Sequence, residues 1–374
     1  MASLKGVTLQ LLIGPGIPTL AKKSVIDALD TVQTTSAVGS KSGFQLAFRF
    51  SKTSEIARSL LPGGYFDPLT RVIVCATVNG VTQVLADGPI LRQDLVAATE
   101  PGTARLTVTG EDLSAYMDLV DLTGVPFPAM PVVAQVALIL ARYASFGIVP
   151  LVIPPISEDL RSPTTGWKTQ QGTDLAYIEQ QAKSAGYVFC VQPGPKPGMS
   201  TAYFGPPVRV GAPQSALSID FDRATNVEGL SFSFDANNAI LPFTFMRIPI
   251  AKVEIPVPVP DIGLLKPPLA ARPFVPAKIR RMENGRFGAA DVVKHLLAGR
   301  GGPDPVNGSG TLNVGVYGTA LTSGSLVGVR GAGLAYDGMW FVKSVSNTLS
   351  RGSWKQSFQI ARDGLVSQTQ TVPI

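Results

Sequence analysis

Few side chains in this sequence combine the type and spacing that chemistry needs. There is one histidine, His295, in a stretch (289–298) whose apolar spacing predicts a helix. A lone imidazole leaves no partner for a His-based zinc site and no Ser-His-Asp arrangement, so it reads as a helix-surface residue. The two cysteines, Cys75 and Cys190, each sit inside an apolar, strand-like run and read as buried thiols. Glu111 and Asp112 are adjacent, so their side chains diverge; acids beside a helix start explain them better than a catalytic pair. Asp220 and Asp222 share strand parity, which is the pattern of a solvated strand face. Gly328-Val329-Arg330-Gly331-Ala332-Gly333 is glycine-rich, but it lies between strands and opens no helix, so it fails as a dinucleotide loop. These residues predict no catalytic, cofactor-binding or metal-ligating group, and no cofactor.

Composition bounds the remainder. A chain of 374 residues exceeds one ordinary domain, and units of roughly 100–150 residues are expected. Charged residues make up 16% and hydrophobic ones 45%, less charge than the roughly 25% usual for soluble domains, which suggests surface covered by self-association. The net charge of +6 would permit a polyanionic partner, but the cations are dispersed apart from Lys278-Ile279-Arg280-Arg281. The amino-terminal residues lack a signal-peptide hydrophobic core, and no apolar run reaches the roughly 20 residues that span a bilayer. Unaided membrane insertion is not expected.

The elements that would position any site are mostly strands. In 306–362 apolar and polar residues alternate: Leu312-Val314-Val316 against Asn313, Gly315 and Tyr317, and Trp354-Phe358-Ile360 against Lys355-Ser357-Gln359. Turns at Tyr336-Asp337-Gly338 and Ser350-Arg351-Gly352 divide the run, which predicts a meander of four or five strands. Earlier, Phe44-Leu46-Phe48-Phe50 alternates, and VIVCATV and VTQVL flank Asn79-Gly80, a strong hairpin signal. Helices are predicted at 22–32, 131–146 and 173–185, the last capped by Thr173 or Asp174 and ended by Gly186, followed by a strand at 187–191. Strands are also expected at 216–221 and 227–236. The fold class is therefore mainly β with an α/β insert, divided as 1–120, 121–210 and 211–374. A Pro/Gly-rich excursion at 256–305 interrupts the last unit.

Several phrases carry a resemblance. "LLIGP", "SGFQLAFRF", "VNGVTQVLADGPI" and "LTVTGEDLSAYMDL" come first, then "DLAYIEQQAKSAGYVFCV" and "YFGPP", and finally "LVGVRGAG", "WFVKSVSNTLSRG" and "KQSFQIARDGL". In order and spacing they resemble the phage late control protein D family, the baseplate hubs of contractile tails, and the hub portion of type VI secretion spike proteins. The resemblance spans nearly the whole chain and is weakest in 256–305.

That resemblance implies two tube-like β-barrel domains joined by a small α/β domain. It implies a homotrimer in which six barrels match a six-fold tail tube and adapt it to a three-fold spike. Implied partners are the tail tube protein, a separate spike protein and other baseplate proteins, with tape-measure protein or passing DNA or effector in the lumen. The implied location is the distal end of a virion or injection particle, after synthesis in the bacterial cytoplasm without a signal peptide. The two β-domains should share a topology. Lumen-facing positions should be small or polar, with Ser231, Ser233, Lys355, Ser357 and Gln359 as candidates. The alternative is a β-rich protein that binds polysaccharide or a host surface; it would need an exposed aromatic platform, and Trp167, Trp340 and Trp354 are scattered singly.

Overall fold

The computed structural model describes residues 2–4, 6–97, 104–154, 168–220, 224–248, 253–258, 267–273, 277–287 and 304–369. The chain is mainly β with an α/β insert. Six principal strands build its first β-unit, with the short strands Ala2–Leu4 and Thr19–Leu20 added beside the first of them: β1 (Val7–Gly14), β2 (Leu29–Ala37), β3 (Gly43–Phe50), β4 (Arg71–Val78), β5 (Val81–Val96) and β6 (Ala104–Glu111). A short helix, α1 (Lys23–Ala28), lies between β1 and β2. The middle of the chain supplies α2 (Val132–Ala141), β7 (Ile148–Val152), α3 (Asp174–Ala185), β8 (Val188–Pro193) and β9 (Ser200–Gly205). The second β-unit contains β10 (Gln214–Ser218), β11 (Gly229–Phe234), β12 (Val306–Asn313), the helical turn α4 (Val314–Tyr317), β13 (Leu326–Arg330), β14 (Gly338–Ser350) and β15 (Ser353–Arg362).

The two β-units repeat one plan. Neighbouring strands run β1-β4-β5-β6-β3-β2 in the first and β10-β13-β14-β15-β12-β11 in the second. Adding nine to each label of the first gives the second, so chain order and spatial order both repeat. In each unit the third strand in space is long and shared, its first part pairing one neighbour and its second part turning a corner. The register of β5 on β6 shifts between Ile90 and Arg92, and that of β14 on β15 between Val342 and Ser344. Bulges of this kind bend a strand and increase its twist. The repeat departs at one place: β1 is antiparallel to β4, whereas β10 is parallel to β13. Among the described residues no ladder joins β1 to β2 or β10 to β11.

The units join edge to edge. Strand β2 pairs antiparallel with β14, from Thr31 opposite Ser350 to Ala37 opposite Ser344. One hydrophobic cluster runs through both units, with Leu46, Phe48 and Val72 on one side and Trp340, Val345 and Phe358 on the other. Each such side chain, fully buried, contributes about 1.5–3 kcal/mol. Gly308 and Gly310 lie on β12 because a Cβ there would press into Ile360 and Phe358, at 2.8 and 2.6 Å. A second cluster forms where α2 and α3 pack on β7, β8 and β9, around Val136, Ile139, Ile178 and Phe204. The order in that small sheet is β7-β9-β8.

Local expectations met different fates. The hairpin turns at Asn79 (φ 50°) and Gly80 (φ 81°). Helix α3 starts on Thr173, whose hydroxyl accepts from the Ala176 N–H, and stops at Gly186 with φ 73°. The helix expected over 22–32 ends at Ala28, and Leu29–Ala37 is strand β2. The β-branched run Thr31, Val32, Thr34 and Thr35 favours a pleated surface, and ladders from β3 and β14 on both sides decide it. The alternation Leu312-Val314-Val316 is strand only to Asn313. The Asn313 side chain caps the Gly315 N–H, Val314 and Tyr317 are buried one helical turn apart, and Gly318 (φ 90°) ends α4. Strand β10 stops at Ser218, short of the expected 216–221. The expected meander is not simple, since β12 returns to pair with β15. Within the 256–305 excursion the described parts include strand, among it Lys278–Phe287 beside Ile240–Ile248. His295 and the helix expected at 289–298 lie outside the described residues.

Candidate functional site: a polar sheet face

The edge-to-edge joint makes one wall from eight neighbouring strand segments: β5 (its second part), β6, β3, β2, β14 (its second part), β15, β12 and β11. Alternation along each strand sends large apolar side chains to the core and leaves the other face to short polar ones. On β15, Trp354, Phe358 and Ile360 are buried while Lys355, Ser357 and Gln359 are exposed. The same face carries Gln33 and Thr35 of β2, Gln45 of β3, Ser346 and Thr348 of β14, Ser309 and Thr311 of β12, and Ser231 and Ser233 of β11. Ser231, Ser233, Lys355, Ser357 and Gln359 thus fall on one surface, as the alternation predicts. The contributions of β2 and β14 were missed: the helix expectation hid β2, although Ser344, Ser346 and Thr348 alternate visibly with Val345 and Asn347.

Hydroxyls link across this face. Thr35 and Ser346 lie 3.2 Å apart over the joint of the two units, and Ser231 and Ser309 are 2.9 Å apart between β11 and β12. A shallow depression of about 500 Å³ is lined by Ser231, Ser309, Thr311, Ser346, Ser357 and Gln359. Several charges of the face are paired: Arg49 with Asp30 at 3.0 Å, Arg92 with Asp94 at 2.8 Å, and Lys355 with Glu228 at 2.9 Å. Such exposed pairs add little stability, but they flatten the local field. The face can exchange hydrogen bonds with many partners and grips none strongly through charge or apolar contact.

The opposite side of the joint holds a buried polar network. Asn347 donates from Nδ2 to Thr34 Oγ1 at 3.1 Å and accepts from Trp354 Nε1 at 2.9 Å and Gln356 Nε2 at 2.8 Å. Gln356 also accepts from the Leu321 N–H and donates to the Leu321 carbonyl. All of these side chains are at most 5% exposed.

The remaining sequence candidates sit apart from one another. Glu111 faces Lys41 at 3.2 Å, whereas Asp112 is buried and caps the 3₁₀ turn Leu113–Asp118 through the Ser114 N–H. Asp220 is exposed in a bend with φ 58°, and Asp222 lies outside the described residues. Gly331 and Gly333 (φ 87° at both) form the turn after β13 and lead into no helix. Cys75 and Cys190 are buried free thiols, and burial pushes each up to about 11. Trp340 and Trp354 are core residues, 0% and 2% exposed, so neither supplies an aromatic platform; Trp167 is outside the described residues. Lys278, Arg280 and Arg281 lie along one exposed strand, with Arg281 over the Phe245 ring at 5.1 Å. Among the described residues no three His, Cys, Asp or Glu side chains gather as metal ligands.

This fold is found in tail proteins. The structure superposes on the tail protein from Neisseria meningitidis MC58 with a TM-score of 0.62 at 16% identity, covering 96% of this chain and 98% of that one. It superposes on the 43 kDa tail protein of prophage MuSo2 from Shewanella oneidensis with a TM-score of 0.56 at 13% identity, covering 95% and 98%. A third likeness is to an E. coli component of the type VI secretion system, itself described as structurally similar to the T4 tail proteins gp27 and gp5. There the TM-score is 0.56 at 11% identity, over 92% of this chain and 78% of that one. The fold is thus that of the phage tail and type VI secretion hub proteins. No protein-family model and no curated relative matches the sequence.

Proposed function

We propose that this chain is the structural baseplate hub of a contractile phage tail or related injection system. In this reading three copies form a ring whose six β-units match a six-fold tube and adapt it to a three-fold spike. The observation that carries it is the repeated strand order of the two β-units, joined edge to edge by β2 and β14. A three-fold ring meets a six-fold partner without strain only when each subunit presents two like faces, because repeated closed contacts need matching patches. The polar face then lines the channel, where short hydroxyl side chains and paired charges let tape-measure protein, DNA or effector pass. Tube protein docks on one rim, spike protein on the other, and further baseplate proteins surround the ring. The role is structural and non-enzymatic, and its place is the distal end of the particle, assembled in the bacterial cytoplasm. Among the described residues no helix is long and apolar enough to cross a membrane.

Light scattering on the purified chain, alone and mixed with a candidate spike protein, tests the reading. The expected mass of the hub ring is three times 39.3 kDa. A monomer in both preparations, at every concentration, would overturn it.

A further inference from the structure

The ring reading leaves open how one copy grips the next, and the internal joint answers that. Two strand edges of the wall are unpaired among the described residues: the second part of β5 at one end and β11 at the other. Free edges of this length invite pairing with another chain. They carry exposed apolar side chains as well, with Leu95 58% and Val96 64% exposed on β5 and Phe234 46% exposed on β11.

Internal repetition fixes which residues correspond. The corner bulge sets Arg92 of β5 equivalent to Ser344 of β14, and from there Leu95 is equivalent to Asn347 and Val96 to Thr348. On the other edge, pairing through β6 and β3 in one unit and β15 and β12 in the other makes Gln33 equivalent to Ser231. Thr34 is then equivalent to Phe232, and Ala37 to Asp235. Within the chain, Thr348 lies opposite Gln33, Asn347 opposite Thr34 and Ser344 opposite Ala37.

Resting on the ring reading, we infer that β5 of one copy pairs antiparallel with β11 of the next in the register of the β14–β2 joint. Val96 then sits opposite Ser231 of the next copy, Leu95 opposite Phe232, and Arg92 opposite Asp235. The chemistry at these places fits. The internal joint buries a polar Asn347–Thr34 pair on its core side; the joint between copies buries an apolar Leu95–Phe232 pair at the same place. Phe232 is already stacked on Tyr336 at 4.8 Å, a prepared floor for Leu95. On the polar side, Arg92 meets the Asp235 carboxylate in addition to its own Asp94. A slip of one residue would set the core-facing Leu95 opposite Ser231 or Ser233, which belong to the channel face, so the register is strongly specified.

Paired cysteines read the register directly. Opposed residues in an antiparallel pair have Cβ atoms about 4.5–5.5 Å apart and diagonal ones about 7–8 Å, and disulfides need the former. Val96→Cys with Ser231→Cys should give covalent trimers on a non-reducing gel after mild oxidation, and Val96→Cys with Ser233→Cys should not. Cys75 and Cys190 are buried and stay as they are. Cross-linking of the second pair, or of neither pair in a preparation that scatters as a trimer, would overturn the register and leave the ring standing. Failure of both pairs in a preparation that scatters as a monomer would overturn the register and the ring together.

Discussion

Asn79, at the tip of the first unit's hairpin, donates its side-chain Nδ2 to the carbonyl of Gly318, 2.8 Å away and 239 residues further along the chain. The same residue holds the positive φ that the turn requires, so it serves two ends at once. Asn79→Gly keeps the turn and removes the tether, and is expected to cost about 0.5–1 kcal/mol for one partly exposed hydrogen bond. Asn79→Ala loses the tether and leaves in a left-handed conformation a side chain without asparagine's polar tolerance of it, adding about 1–2 kcal/mol relative to the glycine variant. Thermal unfolding of both variants separates the two roles. Full stability of the glycine variant would show that the tether contributes nothing.

What could be read from the residues alone follows from how local each cause is. The Asn79-Gly80 turn, the Thr173 cap with Gly186 stop, and the alternation in β15 are set by neighbours within a few positions, and all three stand where the sequence puts them. Strand β2 was hidden because one of its partners, β14, comes from the far end of the chain, and an apolar spacing that suits a helix also suits a strand with a bulge. The one-turn helix α4 was hidden for the opposite reason: three alternating residues are too few to distinguish a strand from a turn capped by Asn313. Two strands of the polar face, β11 and β15, were legible through Ser231, Ser233, Lys355, Ser357 and Gln359. Its continuity across β2 and β14 was not, since that depends on a joint between the two ends of the chain.

Burial holds the Cys75 and Cys190 thiols near 11, with Asp87 and Asp112 adding repulsion. At pH 8 only about one thiol in a thousand is thiolate, so the native protein should not react with an aromatic disulfide reagent, while the unfolded chain should titrate two thiols. The folded state prefers the protonated thiols, so their contribution is intact below the unfolded value of about 8.5 and is lost as pH rises toward 11. Rapid labelling of the native protein at pH 8 would contradict the burial of both.

Arg362 is fully buried, donating to the carbonyls of Gly364 (2.8 Å), Asp337 (3.0 Å) and Ala335 (2.6 Å), with its guanidinium 4.5 Å from the centre of the Trp340 ring. The planar fork reaches three acceptors around one turn, and an ammonium has neither that reach nor that shape. Arg362→Lys is therefore expected to cost about 2–4 kcal/mol, from unpaired carbonyls and a poorly placed buried charge. Denaturant midpoints measure this. A loss under about 0.5 kcal/mol would mean that water replaces the lost bonds.

The network around Asn347 decides whether the two β-units are one mechanical piece. Thr34 belongs to β2 and Asn347 to β14, so their hydrogen bond crosses the joint on its core side, while Thr35 and Ser346 cross it on the polar side. Thr34→Val keeps shape and removes only the acceptor for Asn347 Nδ2, a cost of about 1–2 kcal/mol for one buried donor left unpaired. Asn347→Leu removes that donor too, but strands the indole N–H of Trp354 and one bond of Gln356, and should cost about 2–4 kcal/mol. Once Asn347 is gone, Thr34→Val has no donor left to orphan, so its further cost should shrink toward zero. Urea unfolding of the two single variants and the double variant completes the cycle, and independent sites would add within about 0.3–0.5 kcal/mol. Additive costs would mean that the units are merely adjacent. Strong non-additivity would mean that the register of β2 on β14 is locked from the core, which also keeps Thr35, Ser346 and their neighbours on the polar face.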